Sequence, residues 1–176
     1  MRRFERSGMT GKIVERELFG KSLYEERTKE HAPDFTHYTY LRSIDVMKKF
    51  QPSSSTNPKP EFANYVRLKV CELMGLSRES VRFYTAIESP FDLFHKVDGW
   101  FEIKHQVQNN RVTVDLTTRP EKDSTKSDIL FHVPIEGLSH AVDESEFLIY
   151  SNSLADQVAM EFNSRGIESR KGGHHG

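Results

Sequence analysis

At 176 residues the chain is long enough for one well-buried domain, and its composition (36% hydrophobic, 29% charged, 12 phenylalanines) excludes disorder throughout. The single cysteine, Cys71, excludes an internal disulfide and a thiolate-rich zinc site, and the formal net charge of −1 gives no overall basic signature for nucleic acid. No run approaches the ~18 apolar residues of a membrane span, and the opening MRRFERSGMTGK lacks the apolar core of a signal peptide, so a cytoplasmic protein is expected.

Charge is unevenly placed. Residues 1–60 carry 12 Lys+Arg against 8 Asp+Glu, whereas residues 61–176 carry 13 against 18. Solvated surface accounts for such an imbalance; the sharper reading is a basic arm that contacts nucleic acid beside an acidic body. Residues 1–12 read as a tail. From Lys12 to Lys29, Ile13, Val14, Leu18 and Leu23 make an imperfect helical stripe, ended by His31-Ala32-Pro33. Asp34 is the expected N-cap of a second helix, with Phe35, Tyr38, Leu41, Ile44 and Met47 or Phe50 at helical spacing to about Gln51.

The run Pro52–Pro60, rich in serine and proline, is the clearest loop. It is followed by the most strongly patterned helix, in which Phe62, Tyr65, Val66, Val70, Leu73 and Met74 form one face and Gly75 is the stop. Val81–Ile87 reads as a strand, Ser89-Pro90 as a turn, and strands are expected at 97–105, 111–117 and 129–133. Residues 134–144 read as a loop, Phe147–Tyr150 as a short strand, and Ser151 or Ser153 as the cap of a helix that stops at Gly166. A further strand is expected from Ile167, and KGGHHG reads as an unstructured end.

Two aspartates stand out in the strands, Asp98 opening the first and Asp115 inside the second, because strand interiors disfavour aspartate. Alternation puts Asp98, Trp100, Glu102 and Lys104 on one face and Thr113, Asp115 and Thr117 on one face of the next strand. With Asn109 and Asn110 as the hairpin loop, Lys104 would oppose Asp115 and Glu102 would oppose Thr117, a register that a one-residue slip destroys. Carboxylates in close company take up a proton or bind a cation. Mg²⁺ or Mn²⁺ suits oxygen ligands and phosphate substrates.

The order of helix 61–75, the Asp98 strand, the Asp115 strand, a third strand and helix 151–165 resembles the αβββαβ core of the PD-(D/E)xK (restriction endonuclease-like) nuclease superfamily. The resemblance implies a mixed central sheet flanked by helices, with an N-terminal helical extension and basic tail over 1–58, a restriction endonuclease-like α/β domain over 59–170 and a tail over 171–176. It implies a Mg²⁺- or Mn²⁺-dependent nuclease that hydrolyses phosphodiester bonds in nucleic acid, DNA foremost, with a homodimer compatible and the N-terminal helices its candidate interface. Val97-Asp98-Gly99 is similar to the first motif and Val114-Asp115-Leu116-Thr117 to the second, with Thr117 where the lysine is expected. Lys122, Lys126 or Lys104 would supply that lysine, Asp98, Asp115 and Glu102 would offer metal ligands, and Glu61 or Glu72 would add the glutamate of the first helix.

A second mapping uses Pro90-Phe91-Asp92 with Glu102-Ile103-Lys104; Asp98 with Asp115 is preferred over it. Against the catalytic readings stand plainer ones: a surface ion pair for Asp115 and Lys104, a solvated turn for Lys122 and Lys126, and structural or exposed roles for His95, His105, His132 and His140, which lack ligand spacing. The competing function is an inactive member of the same fold that binds nucleic acid or protein. No P-loop, dinucleotide glycine motif or G-x-S-x-G is present.

Overall fold

The computed structural model of the chain describes residues 7–28, 38–104 and 110–166. Its first half is helical: α1 (Ser7–Phe19), α2 (Tyr24–Thr28), α3 (Tyr40–Met47) and α4 (Glu61–Leu73). The single helix expected from Lys12 to Lys29 begins earlier, at Ser7 inside the expected 1–12 tail, and is broken in two. Gly20 takes a left-handed φ of 78° and its N–H closes on the Arg16 carbonyl at 2.8 Å, which ends α1. α3 begins late, capped by the Thr39 hydroxyl, which accepts from the Arg42 N–H at 3.3 Å. The expected cap Asp34, with Phe35, lies outside the described residues.

The second half supplies a mixed sheet: β1 (Val81–Thr85), β2 (Gly99–Ile103), β3 (Arg111–Thr117) and β4 (Ile129–His132), with α5 (Pro90–His95) between β1 and β2 and α6 (Glu144–Ser164) after β4. Spatial order follows chain order; β1, β2 and β3 are antiparallel and β4 runs parallel to β3. A parallel neighbour needs a crossover of about a dozen residues, and here residues 118–128 make it without a helix. Two expectations fail through helix starts. Ser89 accepts from the N–H groups of Phe91 and Asp92 and so opens α5 rather than a plain turn. Phe147–Tyr150 is not a strand but part of α6, because Asp143 caps that helix by accepting from the Glu146 N–H at 2.9 Å, well before Ser151.

Alternation gives the sheet two faces. Phe83, Phe101, Ile103, Val112, Val114 and Leu116 face α4, α6 and the Val14, Leu18 and Phe19 side of α1. Tyr84 and Trp100 stack at 4.9 Å on the opposite face and pack with Ile44 and Met47 of α3 and Phe91 of α5. α1 therefore belongs to the same core as the sheet. Its close approach explains Gly99: a Cβ there would lie 2.9 Å from both the Phe19 and Phe83 rings. Among the described residues no helix is long and apolar enough to cross a membrane.

The β2–β3 register differs from the one expected of a tight Asn109-Asn110 turn. Arg111 opposes Glu102, Thr113 opposes Trp100 and Val114 opposes Gly99. Lys104 thus does not oppose Asp115, nor Glu102 Thr117; the connection is longer, and residues 105–109 within it lie outside the described residues. The shift is even in number, so each side chain keeps its expected face. The ladder ends at the Gly99–Val114 pair, and just before it the Asp98 N–H bonds the Val114 carbonyl at 2.9 Å, which holds Asp98 against the end of β3.

Candidate carboxylate site

The site forms where β2 begins and β3 ends. Both aspartates are only 4% exposed. The Asp98 carboxylate reaches across to accept the Leu116 backbone N–H at 2.7 Å, which fixes it against β3. The Asp115 carboxylate accepts from the Lys122 ammonium at 2.6 Å and the Thr125 hydroxyl at 2.7 Å, both from the 118–128 crossover. That crossover is pinned at its far end as well: the Ser127 hydroxyl donates to the Lys96 carbonyl, and Asp128 accepts from the backbone N–H and hydroxyl of Thr113.

Two further acids complete the cavity. Asp92 projects from α5, held by the Glu88 backbone N–H at 3.1 Å, and Glu15 projects from α1. The cavity measures ≈ 420 Å³ and is rimmed by the cationic residues Lys12, Lys96, Arg119 and Lys122. Burial, with the charges of Asp92, Glu15 and Asp115, raises the Asp98 carboxyl well above the ordinary carboxylate range. Burial raises Asp92 too, with Asp115 adding to it and Lys96 opposing it. Burial, then Asp92 and Asp115, pushes Glu15 up to about 7. Like charges in a desolvated pocket cannot all ionise, so protons or a cation must offset them.

The other sequence candidates lie elsewhere. Glu102 is held by Lys48 at 2.8 Å and Arg111 at 3.3 Å on the same sheet face but away from the cavity. Lys104 and Lys126 are exposed and do not line it. Glu61 is exposed at the start of α4, 3.7 Å from His140, and Glu72 pairs with Lys69 at 2.9 Å. His132 contacts the Lys122 carbonyl, and His95 that of Tyr38. Sequence reasoning missed Glu15, which it placed among the polar helix charges, and set Asp92 as a rival to Asp98 when both face one cavity. Ser89-Pro90-Phe91-Asp92 carried a usable signal, a serine cap and N1 proline with an acid at N3.

Hard carboxylate oxygens are the donor type that Mg²⁺ or Mn²⁺ takes. Among the described residues, no group of three or more His, Cys, Asp or Glu is arranged to hold a metal ion. Lys122 and Thr125 occupy Asp115, and a cation at that carboxylate would have to displace or share those contacts. Comparison of the chain with protein-family models, curated proteins and solved structures gives no match.

Proposed function

We propose that the chain is a divalent-metal-dependent nuclease that hydrolyses phosphodiester bonds in DNA, with a site and core of the PD-(D/E)xK type. The observation that carries the reading is the convergence of Asp98, just before β2, and Asp115 of β3 on one cavity, with the Lys122 ammonium on Asp115. Lys122 bonds Asp115 from the crossover and would supply the lysine that Thr117, which lines the same cavity, does not. Asp98 and Asp115 would hold the cation, with Glu15 and Asp92 beside them. When bound, such an ion polarises a phosphoryl oxygen and lowers the pKa of a coordinated water.

The chain's own groups supply the rest. Lys122 lies where it can orient an attacking water or offset charge on the phosphate, and Lys12, Lys96 and Arg119 around the rim attract a polyanionic backbone. Burial holds the Asp98 carboxyl well above the ordinary range and pushes Glu15 up to about 7, so a cation that takes their ionised forms would bind with release of protons. The test is incubation of the full chain with plasmid and oligonucleotide substrates, with and without Mg²⁺ or Mn²⁺. Metal-dependent cleavage that disappears in Asp98→Asn and Asp115→Asn is expected. Cleavage unaffected by both changes, or no cleavage and no Mn²⁺ binding, would leave the inactive binding module as the better reading.

A further inference from the structure

The carboxylate cavity does not end at Asp92. A second depression of ≈ 530 Å³ shares Lys12, Glu15, Asp92 and Lys96 with it and continues between α1 and α5, so the two form one trough. Its chemistry changes along the way. The carboxylate end is polar, whereas the far end presents Leu93, which is 50% exposed, over the buried Ile87. Around that apolar surface stand Arg16, Glu25, Glu88 and Ser89, with Arg16 and Lys21 both bonded to Glu88.

Resting on the nuclease reading, we propose that this far end is a nucleobase subsite, and that the enzyme takes an unpaired nucleotide next to the bond it cuts. The volume lies within the ~300–1,000 Å³ of small-ligand pockets and suits one unstacked nucleotide rather than the side of a duplex. Leu93, backed by the buried Ile87, offers the apolar contact that a base face seeks. Lys12 and Lys96 stand at the junction with the carboxylate cavity, where the sugar-phosphate would pass. Glu25, whose Oε2 takes the Lys21 ammonium at 3.0 Å, offers its other oxygen as an acceptor to the exocyclic amino groups of adenine, cytosine or guanine, which thymine and uracil lack. A base held here must be out of its stack, which a single-stranded or frayed substrate permits at least energetic cost.

The experiment is fluorescence anisotropy of the full chain with a labelled oligonucleotide, single-stranded or annealed, in Ca²⁺ so that binding is read apart from cleavage. Single-strand binding tighter than duplex binding is expected. Leu93→Asp should weaken it about tenfold, equivalent to about 1.4 kcal/mol, while Leu41→Asp on the exposed side of α3 leaves it unchanged. An oligothymidine strand should bind more weakly than an oligocytidine strand of equal length. Equal affinity for single strand and duplex, or Leu93→Asp binding like wild type with a native circular-dichroism spectrum, overturns the subsite. Absence of metal-dependent cleavage with the single-strand preference intact would instead overturn the nuclease reading and leave the subsite standing.

Discussion

Glu15 is the residue whose titration is most accessible to measurement. Its carboxyl has a pKa of about 7 in the folded chain against 4.5 when unfolded, because burial and the neighbouring acids disfavour its charge. A carboxyl raised on folding binds its proton more tightly in the native state. Its stabilising contribution is therefore complete below about pH 4.5 and is lost as pH rises through 7. Thermal melts of the metal-free chain should show stability falling across that window, and Glu15→Gln should flatten the fall. Asp98 follows the same logic from a deeper position. Asp98→Asn keeps an oxygen for the Leu116 N–H while removing a charge that the pocket resists, so it is expected to raise the melting temperature near pH 8 and abolish cleavage. A lowered melting temperature at that pH would show that the carboxylate is better compensated than its surroundings imply.

At the scale of elements, the site depends on a crossover and a glycine. Lys122→Ala removes the ammonium from Asp115, and steady-state cleavage is expected to fall about 100-fold, in the range of a lost charge-stabilising group. Lys104→Ala and Lys126→Ala, both outside the cavity, should stay near wild type. If Lys126 proved the sensitive position, the assignment of Lys122 as the lysine missing at Thr117 would be wrong. Gly99→Ala tests the junction of α1 with the sheet. Its Cβ would meet two aromatic rings at 2.9 Å, and overpacking of about 1–3 kcal/mol is expected in denaturant unfolding. Much of this layer was legible in sequence. The α4 apolar face and the limits of β3 follow from periodicity, and parity placed Asp98, Trp100 and Glu102 on one face and Asp115 on another strand's matching face. Parity could not give register, since without an Asn-Gly turn the connection length is free and an even shift preserves every face. The apolar Phe147–Tyr150 run fits strand and helix alike, and only the Asp143-x-x-Glu146 cap decides between them.

Over the whole molecule, four carboxyls line one cavity at one end of the sheet: Glu15 from α1, Asp92 from α5, Asp98 from just before β2 and Asp115 from β3. Sequence patterns reveal the strand pair because aspartate is out of place in a strand interior. They conceal Glu15 because a glutamate on an amphipathic helix looks the same whether its surroundings are water or a tertiary cavity. Burial disfavours the ionised forms of Asp98, Asp92 and Glu15, and a cation that offsets their charge would convert that cost into affinity. Isothermal titration of Mn²⁺ into the full chain at two pH values, in buffers of different ionisation enthalpy, tests this most directly. Wild type is predicted to bind Mn²⁺ with proton release, more tightly at pH 8 than at pH 6, and Asp98→Asn and Asp115→Asn to lose the binding. Mn²⁺ binding that is absent in wild type, or unchanged in both variants, would contradict the account.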